Sequence, residues 1–528
     1  MMTLYAQHPQ HAGIINITDV HTGILINSAS TTMNASQVGR RFVPKATKAW
    51  TKSLPVFTVS NMSMETDSCF ACHCCLQSCT NCISTSLLIF LLHIFARVRS
   101  DPMYQASKNE SDISTTPLLV LNPVHLEPLG SWSSEQLHAS RAANPFMMTW
   151  VPGRNRSAVP NMTHGEGVYL YDDQGKQYID WTSQAVCANL GHSVSDRIIE
   201  AVVHQITTVP FLYGGIGIPE VRTRLNQLMG EVLPGSLVAA VFPSSGAEAN
   251  EAAIMMARRY TGKHKVLSWY RSYHGGTAHA GAATGDFRRW YGSDHVPGFV
   301  KVFSPFPLFF DHKGDTEEEQ VASALHMLEE QILNEGPDTI ASIMMESIVG
   351  AGGCLVMPKG YMQGVRALCD EYGILMHLDE VMVGFGRTGQ LFGFQHYEGV
   401  IPDIVSAAKG LSSAVLPLSM TACRKDILEF FEDKPLGWGS TYQAHPVAMA
   451  CAYETLKQLI QTDIVGRVQE LAPLFDANMQ RVSEQHPCIK QYRAIGLFGC
   501  MDVMELAGTN PKLQHKAAHD AFVKYKKV

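Results

Sequence analysis

Apolar residues recur along this chain with two spacings, and the alternation between them lays out its elements. Leu237–Phe242 is a short apolar run of strand length. Behind Ser244, Ser245 and Gly246 the period lengthens: Ala249, Ala253, Met256 and Tyr260 share one face of a helix predicted over Ala247–Tyr260, and Gly262 stops it. Thr316 with Glu319 three residues later forms a capping box. The helix behind it puts Val321, Leu325, Leu328 and Ile332 on one face and ends at Gly336-Pro337. A strand (Ile340–Met345), a helix (about Lys359–Tyr372, stopped by Gly373) and a second strand (Ile374–Leu378) follow. Strand, helix and strand at this spacing predict a crossover unit with parallel strands, so the fold class is α/β. Each of these strands leads into an acid, Glu346 on one and Asp379 on the other. Open α/β sheets bind ligands at the carboxyl ends of their strands, so the pattern points two carboxylates at one site.

The regular pattern begins near residue 145, and the chain before about residue 135 differs. Up to residue 60 the only acid is Asp19, against Arg40, Arg41, Lys45, Lys48 and Lys52. That acid-poor, hydroxyl-rich balance resembles an organellar transit peptide, with a solvated tail as the alternative, so mitochondrial and cytoplasmic locations both stay open. Six of the 13 cysteines lie between Cys69 and Cys82. Their spacing suits zinc in principle, but no second cluster or histidine pair follows, and residues 60–100 are assigned no function. The other seven are scattered from Cys187 onward, as in an enzyme kept in a reducing compartment. The net charge of −7 provides no basic patch for nucleic acid. The longest apolar run, Leu87–Phe95, falls short of the ~20 residues that cross a bilayer, so no membrane partner is expected.

Four local features carry chemistry. Lys409 follows the apolar run Pro402–Ala408, where desolvation would lower its pKa and make its amine nucleophilic. Asp379 stands at a strand end, and its neighbours His377 and Glu380 read as structural. Ser245-Gly246-Ala247 lies between a strand and a helix, where free backbone N–H groups and the helix dipole favour a phosphate. Tyr273 and His274 offer a flat ring for stacking. Each has an ordinary alternative: a surface lysine, a turn acid, a plain βα turn, a packed aromatic. Together they match the demands of pyridoxal phosphate, which needs an amine for its aldehyde, an acid for its ring nitrogen, donors for its phosphate and a surface for its ring. Gly384–Gly389 also fits the glycine pattern of a dinucleotide site. It lacks a helical period behind it and an acid some 20 residues on, so that reading is set aside.

In order and spacing, residues 140–505 resemble class III aminotransferases. Ser245-Gly246-Ala247-Glu248-Ala249-Asn250 resembles the family's phosphate loop, Tyr273-His274-Gly275 its ring-stacking motif, and Asp379-Glu380-Val381 with Gly384-Phe385-Gly386-Arg387-Thr388-Gly389 its most recognisable motif. Ala408-Lys409-Gly410 resembles its lysine site, and Thr441 matches a threonine that reaches the phosphate of the neighbouring subunit. The resemblance implies a type I pyridoxal-phosphate fold in a homodimer with shared active sites. It also implies a division of the chain: an extension to 135, part of a small domain over 136–205, the cofactor-binding large domain over 206–445, and an incomplete remainder of the small domain over 446–528. In the family the chain continues well past the stretch matching Gly496-Leu497-Phe498-Gly499, and the part missing here usually contains an arginine for the substrate carboxylate.

By the same resemblance Lys409 carries the cofactor as an imine and then moves the substrate's proton. Val381 packs on the ring face opposite Tyr273, and Glu346 lies near the substrate channel. Tyr178–Gln184, Asn189–His192, Tyr361–Asp370 and Glu346-Ser347 look most like taurine–pyruvate and other ω-amino-acid aminotransferases. That implies an amine donor whose amino group is distant from its acid group, with pyruvate or a related 2-oxo acid as acceptor. A decarboxylase, mutase or racemase of the same fold, and a truncated non-catalytic paralogue, remain as alternatives.

Overall fold

The computed structural model describes residues 129–503, apart from 150–152, 154–158 and 294, together with the backbone of three N-terminal strands. Those strands, Met2–His8, His11–Thr18 and Leu25–Ser28, form an antiparallel sheet within a unit spanning Met1–Leu126. The cysteine cluster, the Leu87–Phe95 run and residues 504–528 lie outside the described residues. Among the described residues no helix is long and apolar enough to cross a membrane.

The second unit, Glu127–Val528, is built on a seven-stranded sheet. In chain order its strands are β1 (Leu237–Val241), β2 (Lys265–Trp269), β3 (Phe299–Val302), β4 (Ile340–Glu346), β5 (Leu375–Asp379), β6 (Ile404–Ala407) and β7 (Met420–Arg424). Their spatial order is β1-β7-β6-β5-β4-β2-β3. Only β7 runs against the rest: it pairs antiparallel with β6 and β1, while the other pairings are parallel. The central strands are buried on both faces, and all seven residues of β4 are inaccessible, as expected where helices cover a parallel sheet.

Three helices show how local sequence shapes these elements. Helix α1 (Gly246–Thr261) starts one residue before the predicted range and stops where Gly262 turns left-handed at φ 70°. Helix α2 (Glu317–Glu335) has the full Thr316/Glu319 capping box. Its innermost face holds Val321, Ala324, Leu328 and Ile332 rather than Leu325, because Leu325 leans onto helix α3 (Tyr361–Tyr372) at Gly364. A Cβ at Gly364 would lie 2.3 Å from Leu325 Cδ1, so any larger residue there would push Leu325 aside. Helix α3 begins two residues later than predicted, since Gly360 is left-handed at φ 86°. Strand β5 begins at Leu375 because the Ile374 N–H still closes the helix end on the Cys369 carbonyl.

Smaller pieces flank this sheet. The helix Ser134–Ala143 is tied to the small antiparallel sheet that follows it, with Ser134 Oγ donating to Asp173 at 2.7 Å. Helix Asp196–Thr208 is joined to helix Pro446–Gln461 by the Arg197–Glu454 ion pair at 2.9 Å. A hairpin, Ile489–Ile495 with Phe498–Val503, turns at Gly496 (φ 57°) directly against the Thr388 backbone.

Candidate active site

Strands β4 and β5 end in register, so Glu346 and Asp379 are cross-strand partners at the carboxyl edge of the sheet. The edge opens into a cavity of about 210 Å³ that both acids line together with Gly246, Ala247, Tyr273, His274, Val381 and Lys409. Eight of the ten candidates from the sequence therefore meet at one place. Ser245 stands just behind it as the N-cap of α1, accepting from the Glu248 N–H. Thr441 is the exception. With Tyr213, Gly214, Arg222 and Gln443 it lines a separate cavity of about 280 Å³.

Asp379 is buried and held by three hydrogen-bonding partners. Oδ2 accepts from Asn250 Nδ2 at 2.8 Å and lies 2.8 Å from His274 Nδ1, while Oδ1 accepts from the Val381 N–H at 3.0 Å. Burial alone would raise its pKa, but the His274 hydrogen bond and attraction, with the donors of Val381 and Asn250, outweigh it and hold the carboxyl below its ordinary range. Glu346 accepts from the Tyr273 N–H at 2.9 Å and the Gly350 N–H at 2.7 Å. Burial pushes it up to about 7, with the nearby Asp379 charge adding to the effect. Two adjacent acids are thus pushed in opposite directions, one raised and one lowered, a common mark of acids given different tasks.

Lys409 sits two residues beyond β6, in a left-handed backbone (φ 37°) that opens a short 3₁₀ turn, Lys409–Leu411. Burial depresses its pKa, against the attraction of Asp379 and Glu346, so its amine is nearer to the neutral, nucleophilic form. Across the cavity, α1 leaves the Gly246 and Ala247 amides without helical acceptors. The fit there is close. A Cβ at Gly246 would come 2.8 Å from Val381 Cγ1, and one at Gly275 2.5 Å from the Ala247 Cβ.

Local reading of the sequence missed two neighbours, Asn250 and Arg288, and was right to take Glu380 as structural. Asn250 bridges Asp379 and the His274 carbonyl, and only its place in the phosphate-loop motif marked it. Arg288 lies 3.6 Å from the centre of the Tyr273 ring, and nothing in its local sequence pointed there. Glu380 faces away from the cavity, accepting from Ser347 Oγ, the Gly393 N–H and the Phe394 N–H. It ties the segment after Glu346 to the turn after Gly384–Gly389. That glycine stretch leads into a 3₁₀ turn, Gly393–His396, and not into the helix a dinucleotide site requires.

Burial raises Glu380 to about 7. A carboxyl raised in the fold stabilises it fully below the unfolded pKa near 4.5, and that contribution disappears as pH rises through 7. Denaturation of the parent should therefore show about 3 kcal/mol of stability lost on this account between pH 4.5 and 8. Glu380→Gln is expected to remove that part of the slope; an unchanged slope would mean the acid is ionised throughout.

The residues present suit pyridoxal phosphate: an amine of lowered pKa, an ionised buried carboxylate, unpaired amides at a helix start, and His274 Nε2, buried with no partner, beside them. Comparison with known proteins agrees. The chain is 31% identical over 375 residues to the putrescine–pyruvate aminotransferase of Pseudomonas aeruginosa, covering 69% of this chain and 81% of that one. It is 34% identical over 352 residues to the taurine–pyruvate aminotransferase of Rhodobacter capsulatus, covering 63% and 74%. Its fold matches the taurine:2-oxoglutarate aminotransferase of Bifidobacterium kashiwanohense, solved with PLP and glutamate, with a TM-score of 0.66 and 36% identity over 70% of this chain and 83% of that one. The family model for aminotransferase class III matches residues 152–524. This chain belongs to the class III aminotransferases, enzymes that use pyridoxal phosphate.

Proposed function

We propose that the protein transfers the amino group of an ω-amino acid or terminal amine to pyruvate or a related 2-oxo acid, with Lys409 and Asp379 as its catalytic residues. The observation that carries this reading is the convergence of Lys409, Asp379 and the start of α1 on one cavity. The donor class is supported by its relatives, whose names specify taurine, putrescine and γ-aminobutyrate, each with an amino group at a chain end.

When bound, the cofactor supplies an aldehyde that receives the amino group and a ring that holds the electron pair released at the substrate carbon. Asp379 keeps a proton on the ring nitrogen, a task suited to a carboxylate held ionised by His274, Asn250 and the Val381 amide. The Gly246 and Ala247 amides orient the phosphate at the positive end of α1. Tyr273 and Val381 confine the ring from its two faces. Lys409 would hold the cofactor through Nζ, and the same amine, once released, would serve as the base that takes the proton from the substrate carbon. By its resemblance to the family's threonine, Thr441 would reach the phosphate of a second subunit; within its own subunit it lines a different cavity from Lys409.

The test is direct. The purified protein is incubated with taurine, β-alanine, γ-aminobutyrate or putrescine, each with pyruvate or 2-oxoglutarate. Alanine or glutamate should form with at least one donor. No amino acid product, with carbon dioxide or a rearranged donor instead, would replace this reading with a same-fold decarboxylase or mutase.

A further inference from the structure

Two strained stretches of backbone meet beside the cavity. In one, Lys409 (φ 37°), Ser413 (φ 49°) and Ala414 (φ 65°) are left-handed without being glycine. In the other, so are Ser183 (φ 47°), Gln184 (φ 60°) and Val186 (φ 58°), in a loop more than 200 residues earlier. Such conformations persist only where the surroundings over-determine them.

Asn189 makes the junction. Its Nδ2 donates to the Phe385 carbonyl at 3.0 Å, and its Oδ1 accepts from Arg387 Nη2 at 2.8 Å. Arg387 also donates to Ser183 Oγ at 3.1 Å, which joins the start of the loop to its end. The Asn189 amide group lies close against Gly410, the residue after the lysine: a Cβ there would be 2.5 Å from Asn189 Nδ2 and 2.9 Å from Phe385 Cβ. One residue on, the Leu190 N–H donates to Ser413 Oγ at 2.8 Å. The lysine turn is therefore gripped at both ends, at Gly410 and at Ser413, by consecutive residues of one loop.

We propose that Asn189, held by Arg387 and Phe385, is a positioning residue: it keeps the Lys409 turn in its left-handed form and so fixes where the lysine amine enters the cavity. The proposal rests on the reading of Lys409 as the cofactor-bearing lysine. A side chain leaving an ordinary strand end would follow another direction, because φ at Lys409 sets the Cα–Cβ vector. The titratable and charged groups that act on that amine are Asp379, Glu346, Cys187 and Arg288. Cys187 belongs to the same loop, so loosening the loop also changes what surrounds the amine.

The experiment compares holoenzyme of the parent, Asn189→Ala and Ser413→Ala by steady-state kinetics and by pH titration of the absorption band of the lysine-bound cofactor. For Asn189→Ala, kcat should fall by about tenfold or more, the cost of a displaced reacting group, with the donor KM changed by less than about threefold. The band midpoint should move up by about half a unit or more as water reaches the amine. Ser413→Ala, which removes one hydrogen bond and keeps the fold's packing, should move both readouts in the same direction by less. It decides the matter alone if Asn189→Ala yields no soluble holoenzyme. A normal midpoint and kcat, with only a lowered melting temperature, would overturn the proposal and leave Asn189 as structural packing. Failure of the underlying reading looks different: the parent itself would then show no lysine-bound band.

Discussion

Lys409→Ala is expected to remove the lysine-bound cofactor band completely and to lower turnover by at least ~10²–10⁴-fold, the range associated with a positioned proton-transfer group. Two losses combine. The amine is gone as anchor, so cofactor is kept by non-covalent contacts alone, among them the α1 amides and Asp379. The group that moves the proton is gone too, and neither Asp379 nor Glu346 replaces it: Asp379 is committed to three hydrogen bonds, and Glu346 is held by two backbone donors. The fold should survive, because removing a desolvated amine relieves a cost that burial imposes. The measurement is absorbance of the purified variant in excess pyridoxal phosphate, with single-turnover kinetics and a melting curve. Turnover within tenfold of the parent would defeat the assignment of Lys409.

Asp379→Asn is the second large effect. The substitution preserves shape and exchanges a charged acceptor for a neutral amide. In a buried site, removing one preorganised electrostatic partner costs about 10²–10³ in kcat, and a loss of that size is expected here. Stability should fall as well. Asn250 Nδ2 and His274 Nδ1 both converge on Oδ2, and an amide NH₂ in that place leaves a buried donor unmatched, at roughly 1–3 kcal/mol. The pH dependence has a defined sign. A carboxyl held below its ordinary range stabilises the fold above the unfolded pKa, and the parent loses that stability as pH falls through the folded value. The variant should lack this acid-side loss. Undiminished kcat in Asp379→Asn would show that the ring nitrogen needs no anionic partner.

Legibility in the sequence depended on how local each cause was. The capping box of α2 and the stop at Gly262 involve neighbours a few residues apart, and both were readable in the pattern. So was the parallel crossover that puts Glu346 beside Asp379, because strand period and helix length determine it. The start of α3 lies two residues beyond the predicted one, because the left-handed Gly360 intervenes. Periodicity puts Leu325 on one face with Val321, Leu328 and Ile332, but does not reveal that it packs beside Gly364 of another helix. Resemblance to a family supplied what local chemistry could not: in isolation Lys409 is a lysine at a strand end.

By itself, then, the sequence determined the α/β class, the parallel crossover at the centre of the sheet, and the two acids that stand at its carboxyl edge. Those properties follow from spacing along the chain. Only the tertiary structure decided the states of those side chains. Glu346 and Asp379 are the same chemical group one strand apart, yet one is raised to about 7 and the other held low. The difference comes from His274 and Asn250, which reach Asp379 from more than 100 residues away. The left-handed Lys409 turn likewise meets Asn189 from over 200 residues away. A carboxyl's pKa and a lysine's direction are set by what surrounds them in space, and folding alone brings those surroundings together.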